Sequence, residues 1–409
     1  MFESISDIIF IIARVFAVYF LIISLFGLLP AKRLKRPDGQ LKFAVLIAAR
    51  NEESCIAGIV ESLKRQNYPE NLCHIYVIPN NCTDNTAAVA AAAGARIVTV
   101  SSKVHNKGTA LREAMDKLLK SKENYDAFCV FDADNEADED FLEAMNRTLS
   151  SGARVAKSRI LAKNARQSWV CLCYDIYFCS ANLFINRARE RLGLSARLIG
   201  TGFAVKCDFI REIGGFRTET LTEDAEFYAI CAAHGERIAF CEGAITYDEE
   251  PLSFRTSLIQ RKRWMSGILQ VMRLMLPELA CGLFDRKSFI FSLDALMQLG
   301  FGYVQALLPL ALIISVAASP RGALTWLFVS ALTGYLTAAV NGFLALALQG
   351  RLRESAIGLF VYPLFFLSFI PLQTLSLFKP TTRWHEIRHT GISRTGEREQ
   401  SVGLIEKSA

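Results

Sequence analysis

Apolar residues are spread unevenly along the chain. Residues 8–29 (IIFIIARVFAVYFLIISLFGLL) form a nearly unbroken apolar run, about 33 Å long as a helix and so able to span a bilayer. Arg14 is the single charge inside it, close enough to one end to snorkel. Glu3 and Asp7 precede the run, and Lys32, Arg33, Lys35 and Arg36 come directly after it. A cleaved signal would carry its positive charges first and a small-residue cleavage site after, so the run reads as a retained anchor. The basic flank places the adjoining central region on the cytoplasmic side.

Three further apolar segments are expected at about 289–318, 324–348 and 355–378, separated by Ser319-Pro320-Arg321-Gly322 and by Arg351-Leu352-Arg353-Glu354. Three full crossings would leave the C-terminus outside. The tail carries Lys379, Arg383, Arg388, Arg394 and Arg398, which argues for inside, and Pro363 and Pro371 allow the last segment to be bent or re-entrant. Asp294, Gln298, Gln305, Asn341 and Gln373 lie within these apolar runs. They fit either helix–helix hydrogen bonds or a wet path for a polar product.

Between the anchor and these segments the pattern changes to short apolar runs alternating with helical periodicity. Strands are expected at 43–49 (FAVLIAA), 74–79 (HIYVIP), 95–100 (ARIVTV) and 126–131 (DAFCVF), with helices near 54–65, 83–93 and 106–120. That alternation predicts an α/β domain, a mainly parallel sheet with helices on both faces, whose ligand sits at the carboxyl ends of the strands. Polar clusters fall there: Arg50-Asn51-Glu52-Glu53, Asn80-Asn81-Cys82-Thr83-Asp84 and Asp132-Ala133-Asp134. There is no GxGxxG and no Walker motif.

Composition sharpens this reading. Of 409 residues, 52% are hydrophobic and 21% charged, against about 45–50% and about 25% in soluble domains, which excludes a disordered chain or a purely soluble enzyme. A net charge of +6 is too mild to imply nucleic acid, and fits a surface near anionic lipid or a site for an anionic substrate. The eleven cysteines form no CxxC pair and read as reduced structural thiols.

Four motifs carry chemistry. Asp132 and Asp134, two apart after a buried strand, offer hard oxygen ligands for Mg²⁺ or Mn²⁺ shared with phosphates and water. Leu221-Thr222-Glu223-Asp224 opens a helical pattern; it can serve as an N-cap, or place a carboxylate as general base. Gln260-Arg261-Lys262-Arg263-Trp264 lies in an amphipathic stretch, 253–276, suited to the membrane interface and to a pyrophosphate and a sugar face. Arg383-Trp384-His385-Glu386-Ile387-Arg388-His389 is either a surface tail or a segment folded back onto the cytoplasmic face.

In chain order, VLIAARNEE, NNCTDNT, NKGTAL, FDADN, GTGFAV with IGGF, LTEDAEF, EPLSF and QRKRW resemble the membrane-integrated family-2 glycosyltransferases. These are the cellulose, hyaluronan, chitin and poly-N-acetylglucosamine synthases; one anchor and three later segments most resemble nodulation-type chitooligosaccharide and bacterial exopolysaccharide synthases. The resemblance implies a GT-A fold and a metal-dependent, inverting, processive hexosyltransferase that uses a UDP-sugar and Mg²⁺ or Mn²⁺ at the plasma membrane.

By position, the resemblance assigns Glu52 and Asp84 to the nucleotide base and Lys107 to the phosphates. Asp132 and Asp134 would hold nucleotide and metal, and Asp224 would be the general base, beside Glu223. Gly200, Thr201, Gly202 and Glu223 would border the acceptor pocket, and Gln260, Arg263 and Trp264 would hold the pyrophosphate and acceptor sugar. Asn80 departs from the Asp of many relatives. The expected partners are the donor, a glycan or lipid-linked acceptor, membrane lipid, and an export or regulatory subunit. The alternatives are single addition to a lipid carrier and a non-catalytic nucleotide- or glycan-binding membrane subunit. The expected parts are an anchor with its basic flank (1–36), a transferase domain (37–250), interfacial helices (251–288), membrane segments (289–378) and a basic tail (379–409).

Overall fold

The computed structural model describes residues 2–30, 37, 39–104, 106–318, 320–381 and 391. The flank Lys32, Arg33, Lys35 and Arg36 and the tail motif 383–389 lie outside the described residues.

Eight strands form one sheet: β1 (Phe43–Ala49), β2 (Cys73–Pro79), β3 (Arg96–Ile97), β4 (Ala127–Asp132), β5 (Glu136–Ala137), β6 (Val155–Ala162), β7 (Phe203–Lys206) and β8 (Ile238–Asp248). Their order is β3-β2-β1-β4-β7-β6-β8-β5. β1 pairs in parallel with β2 and β4, as the alternating pattern predicts. The sheet is mixed, however, because β7 runs antiparallel to both β4 and β6. The strand expected at 95–100 shrinks to Arg96–Ile97, an edge pairing with Tyr76 and Val77; beyond it the chain leaves the sheet to reach the next helix.

β1 is apolar throughout because both its faces are covered. Phe43, Val45 and Ile47 join one core, while Ala44 and Leu46 join another, as the two-residue period of a strand requires. The first core includes α2 (Ile56–Lys64) and α5 (Phe141–Ser150). The second takes in α4 (Lys107–Leu119) and runs on into the apolar helices of the C-terminal half. α3 (Thr86–Ala92) comes after β2. α4 starts where it does because Asn106 Oδ1 accepts from Thr109 N at 2.8 Å.

The remaining helices set the site against the apolar layer. They are α6 (Trp169–Ser180), leading through a π-helical turn into α7 (Ala188–Leu192), then α8 (Cys207–Glu212), α9 (Glu223–Ala233) and α10 (Phe254–Gly282). α10 covers the amphipathic stretch and is capped by Ser253 Oγ, which accepts from Thr256 N at 3.1 Å.

α1 (Phe2–Leu25) with the 3-10 turn after it, α11 (Phe289–Ala318) and α12 (Pro320–Leu348) contain the stretches long and apolar enough to cross a membrane, at Ile5–Leu28, Phe289–Ala318 and Leu327–Leu348. On α1, Ile8, Val15, Val18 and Leu21 are each more than half exposed, as lipid-facing side chains would be. The segment expected at 355–378 is not one helix. It breaks into α13 (Leu352–Ser355), a short 3-10 turn, α14 (Tyr362–Leu367) and α15 (Phe369–Phe378), and its longest apolar stretch, Tyr362–Phe378, falls short of a full span. Past α15, Thr381 N donates to Ser266 Oγ at 2.9 Å, and Gly391 packs on the backbone of Ser54.

Of the polar residues in these helices, Asp294 and Gln298 are used in packing. Asp294 accepts from Arg189 and from the Tyr19 hydroxyl, and Gln298 bonds Tyr228. Gln373 is buried without a hydrogen-bond partner among the described residues.

Candidate active site

Register brings the strand ends level: Ala48 faces Asp132, and Ala49 faces Pro79. Their loops, the segment before β7, the N-terminus of α9 and one side of α10 enclose a cavity of about 270 Å³. Glu52, Lys107, Asp132, Asp134, Gly200, Glu223, Asp224, Gln260, Arg263 and Trp264 all line it. The two DxD carboxylates do not lie on one extended segment. Asp132 ends β4, and the chain turns at Ala133-Asp134, where Asn135 Oδ1 accepts from Asp132 N at 2.9 Å.

Lys107 is the electrostatic hub. Its Nζ lies 2.5 Å from Asp132 Oδ1 and 2.8 Å from Glu223 Oε1, and donates to the Gly200 carbonyl at 2.8 Å. Burial alone would lower its pKa, but Asp132 and then Glu223 outweigh burial and hold the ammonium above the ordinary lysine value. Burial pushes the Glu223 carboxyl up, against the attraction of Lys107. Asp224 Oδ2 accepts from Gly200 N at 2.5 Å, so the loop at Gly200 ties the α9 N-terminus to the DxD turn.

Thr201 and Gly202 stand behind the cavity wall and do not line it. Thr201 Oγ1 accepts from Asp132 N at 3.0 Å and donates to Asn135 Oδ1. Gly202 sits at φ +63°, where a Cβ would collide with Ser158 Oγ and Thr246 Oγ1, so glycine is required there. Asp84 also falls outside the lining. It accepts from Thr86 N at 3.0 Å and Glu53 N at 3.1 Å, which makes it a fastener between the β1 and β2 loops.

Several lining residues carried no assignment from the motifs. Arg50, Asn80 and Asn106 join the end built on β1, β2 and α4, and Asp248, Glu249 and Glu250 stand at and after the end of β8. Burial raises the Asp248 carboxyl, and Asp134 adds to it; burial and then Asp248 raise Glu250. Lys163 Nζ reaches the Asp134 carbonyl at 2.8 Å and Glu249 at 3.3 Å. Lys157, fully buried behind the cavity, donates to the Thr201 carbonyl. The signal for Asp248 was available: a polar run ending an apolar strand, as at Asp132.

The donor set suits a divalent cation of the Mg²⁺ or Mn²⁺ type. No group of three or more His, Cys, Asp and Glu arranged as a metal cage occurs among the described residues. One or two carboxylates at an open cavity, with phosphates and water completing the shell, is how Mg²⁺ is usually held. Another part of the lining is apolar, formed by Tyr177, Phe178, Leu198, Ile199, Met265 and Ile268, and Tyr177 stacks on Phe369 of α15. Arg263, which also lines the cavity, makes no ion pair among the described residues, and Tyr174 OH donates to Gln260 Oε1 at 3.0 Å.

Known proteins share this architecture. The family model described as glycosyltransferase like family 2 matches residues 39–267. A probable glycosyltransferase, YdaM, of Bacillus subtilis is 28% identical over 260 residues, covering 62% of this chain and 60% of its own length. The beta-monoglucosyldiacylglycerol synthase of Nostoc sp. is 26% identical over 215 residues, covering 48% of this chain and 42% of the synthase. The cellulose synthase 1 catalytic subunit of Komagataeibacter xylinus is 24% identical over 302 residues, covering 69% of this chain and 39% of the subunit. The chain thus spans less than two thirds of the length of each. A solved structure, the mannosyltransferase PcManGT of Pyrobaculum calidifontis with GDP-Man and Mn²⁺, superposes with a TM-score of 0.63 at 16% identity, covering 93% of this chain and 99% of that one; at that identity the likeness is one of fold, GT-A-like. With more than half its length matched by the family model, the chain belongs to the glycosyltransferase-like family 2.

Proposed function

We propose that the protein is a membrane-bound, inverting hexosyltransferase that polymerises sugar from a UDP-sugar into a β-linked polysaccharide on the cytoplasmic face. The observation that carries this reading is that Asp132, Asp134 and Asp224 line the same cavity as Gln260, Arg263 and Trp264. Donor-phosphate chemistry and acceptor binding thus share one enclosed space.

Glu52 and Asn80, on the loops after β1 and β2, take the nucleotide end. Asp132 and Asp134 would hold Mg²⁺ or Mn²⁺, which when bound supplies charge stabilisation for the departing diphosphate. Lys107 and Arg263 add fixed positive charge for the same leaving group. Asp224 takes the proton from the acceptor hydroxyl as that oxygen attacks the anomeric carbon. One of its oxygens is oriented by Gly200 N, and the other makes no hydrogen bond among the described residues. Displacement from the face opposite the diphosphate inverts the centre. Trp264, held edge-on to Tyr174 at 6.1 Å, presents an apolar platform to the flat face of a sugar.

The same reading assigns topology at the plasma membrane. α1 crosses once, and α11 and α12 cross as a pair. The broken segment stays on the cytoplasmic side, supported by the contacts of Thr381 with Ser266 and of Gly391 with Ser54. Asp294 and Gln298 serve packing, which leaves export of the product to the remaining polar positions or to a partner subunit.

A second reading, addition of one sugar to a lipid-linked acceptor, is favoured by the apolar part of the cavity lining and by the similarity to a beta-monoglucosyldiacylglycerol synthase. The test offers purified protein in nanodiscs UDP-glucose, UDP-N-acetylglucosamine, UDP-galactose and UDP-glucuronate, singly and in pairs, with Mg²⁺ or Mn²⁺. UDP release with a ladder of products is expected. One added sugar on lipid would establish the second reading. Binding of UDP without turnover would point to a non-catalytic subunit.

A further inference from the structure

Between Gln260 and Arg263 lies a residue that the proposed chemistry leaves idle. Arg261 is fully buried and has no carboxylate partner among the described residues. Its guanidinium stands 4.2 Å from the ring centre of Phe365, 4.7 Å from Phe369 and 5.4 Å from Phe254. Nη1 donates to the Phe365 carbonyl at 3.2 Å and to Ser368 Oγ at 2.8 Å. Nη2 has no partner among the described residues.

Burying a cation without an anion is costly, and an aliphatic side chain would fill the space at less expense. What an aliphatic residue lacks is a planar face for three rings and donors for the break at Ser368, where the guanidinium and the Ser368 hydroxyl both donate to the Phe365 carbonyl. Phe365 also packs edge-on to the buried Tyr174 at 5.2 Å. Tyr174 in turn holds the Gln260 amide by its hydroxyl and the Trp264 ring by its edge. A contact chain therefore runs from Arg261 through Phe365 and Tyr174 to two residues of the cavity.

We infer that Arg261 is a positioning residue for the acceptor subsite: by locking α10 to the broken segment through Phe365 and Ser368, it fixes Gln260 and Trp264 where a sugar acceptor docks. The inference rests on the transferase reading above. The donor end is built on the ends of β1, β2 and β4 and on α4, none of which this cluster touches. Disturbing Arg261 therefore falls on acceptor use and spares donor binding.

The test compares Arg261→Lys, which keeps the charge and loses the planar fork, with Phe365→Leu and Ser368→Ala. Each is measured in nanodiscs for UDP affinity, for hydrolysis of the UDP-sugar by water and for transfer to glycan. Transfer is expected to fall on the order of tenfold to a hundredfold in Arg261→Lys and Phe365→Leu, as misplacement of a docked reactant does. Product should shorten, while UDP affinity and donor hydrolysis stay at wild-type values. If Arg261→Lys fails to fold, Phe365→Leu and Ser368→Ala carry the comparison. Wild-type transfer and product length in these variants would overturn the inference, as would equal losses of UDP binding and transfer. A wild-type protein that releases no UDP from any donor would overturn the transferase reading itself.

Discussion

Arg189 and Asp294 meet in a fully buried, two-pronged contact. Nε lies 3.2 and 3.0 Å from the two carboxylate oxygens, and Nη2 lies 3.0 Å from one of them. Arg189 belongs to α7 and Asp294 to α11, while Tyr19 of α1 donates to the same carboxylate at 2.6 Å. Gln298 extends the network to Tyr228 on α9, one turn beyond Asp224. The sheet domain is thus fastened to both the first and the second apolar helix by one carboxylate.

Removing either partner alone strands a buried charge, which costs about 3–5 kcal/mol. Asp294→Ala and Arg189→Met should each lower the thermal midpoint of the detergent-purified protein. The double variant should lose less than the sum of the two. Additive losses would show that the pair is not coupled.

Asp224→Asn keeps the shape and the bond from Gly200 N but cannot take a proton. Transfer should fall by about 10²–10⁴-fold, with UDP affinity retained. Near-normal turnover in a folded, membrane-inserted variant would rule out the base role.

Asp134→Asn should weaken the response to Mg²⁺ or Mn²⁺, so that more metal is needed for half-maximal UDP release. Chelation should abolish transfer in wild type, and either cation should restore it. Full activity after exhaustive chelation would remove the metal from the proposal.

Gly202→Ala should destabilise the protein by about 1–3 kcal/mol through strain at positive φ and displace Ser158 and Thr246. The Gly200–Thr201 loop moves with it, so both the thermal midpoint and UDP affinity should drop. An unchanged protein would show that the loop relaxes freely.

Burial, opposed by Asp248, Asp224 and Asp132, lowers the Lys157 pKa to about 7 from an ordinary 10.5. Below pH 7 folded and unfolded chains are both protonated there, and the folded state carries the whole penalty. Between about 7 and 10.5 the unfolded chain binds more protons, so this contribution to stability improves as pH rises. In Lys157→Met the penalty is gone at every pH. The midpoint of the variant minus that of wild type should therefore decrease from pH 7 to pH 10; a constant difference would mean that Lys157 titrates normally.

Much of the site was legible because its signals are local. The apolar run 43–49 with Arg50 to Glu53 after it, and 126–131 with Asp132 to Asp134 after it, mark strand ends by an abrupt change in polarity. Glu223 and Asp224 announce a helix start. Asp84 stands after β2 as a ligand position would, and its carboxylate also ties the loops together through Thr86 and Glu53. Lys157 and Lys163 carry no such local signal, since the carboxylates and carbonyls that face them lie at least 25 residues away in the chain.

Taken by itself, the chain determined the elements that depend on periodicity and hydropathy: the first three apolar helices, the parallel strands β1, β2 and β4, and α10 as an amphipathic helix. These arise from solvent and lipid acting on each segment separately. Tertiary structure decided the reversal at β7, the shrinking of β3 and the break at Ser368. It also decided the fate of the buried charges. Each depends on what packs opposite: the outermost place of β3 in the sheet, a guanidinium that donates to the Phe365 carbonyl, an aspartate that finds an arginine 105 residues away. Distance in sequence carries no energy until the chain closes on itself, and the partners that make a buried charge tolerable exist only after it has.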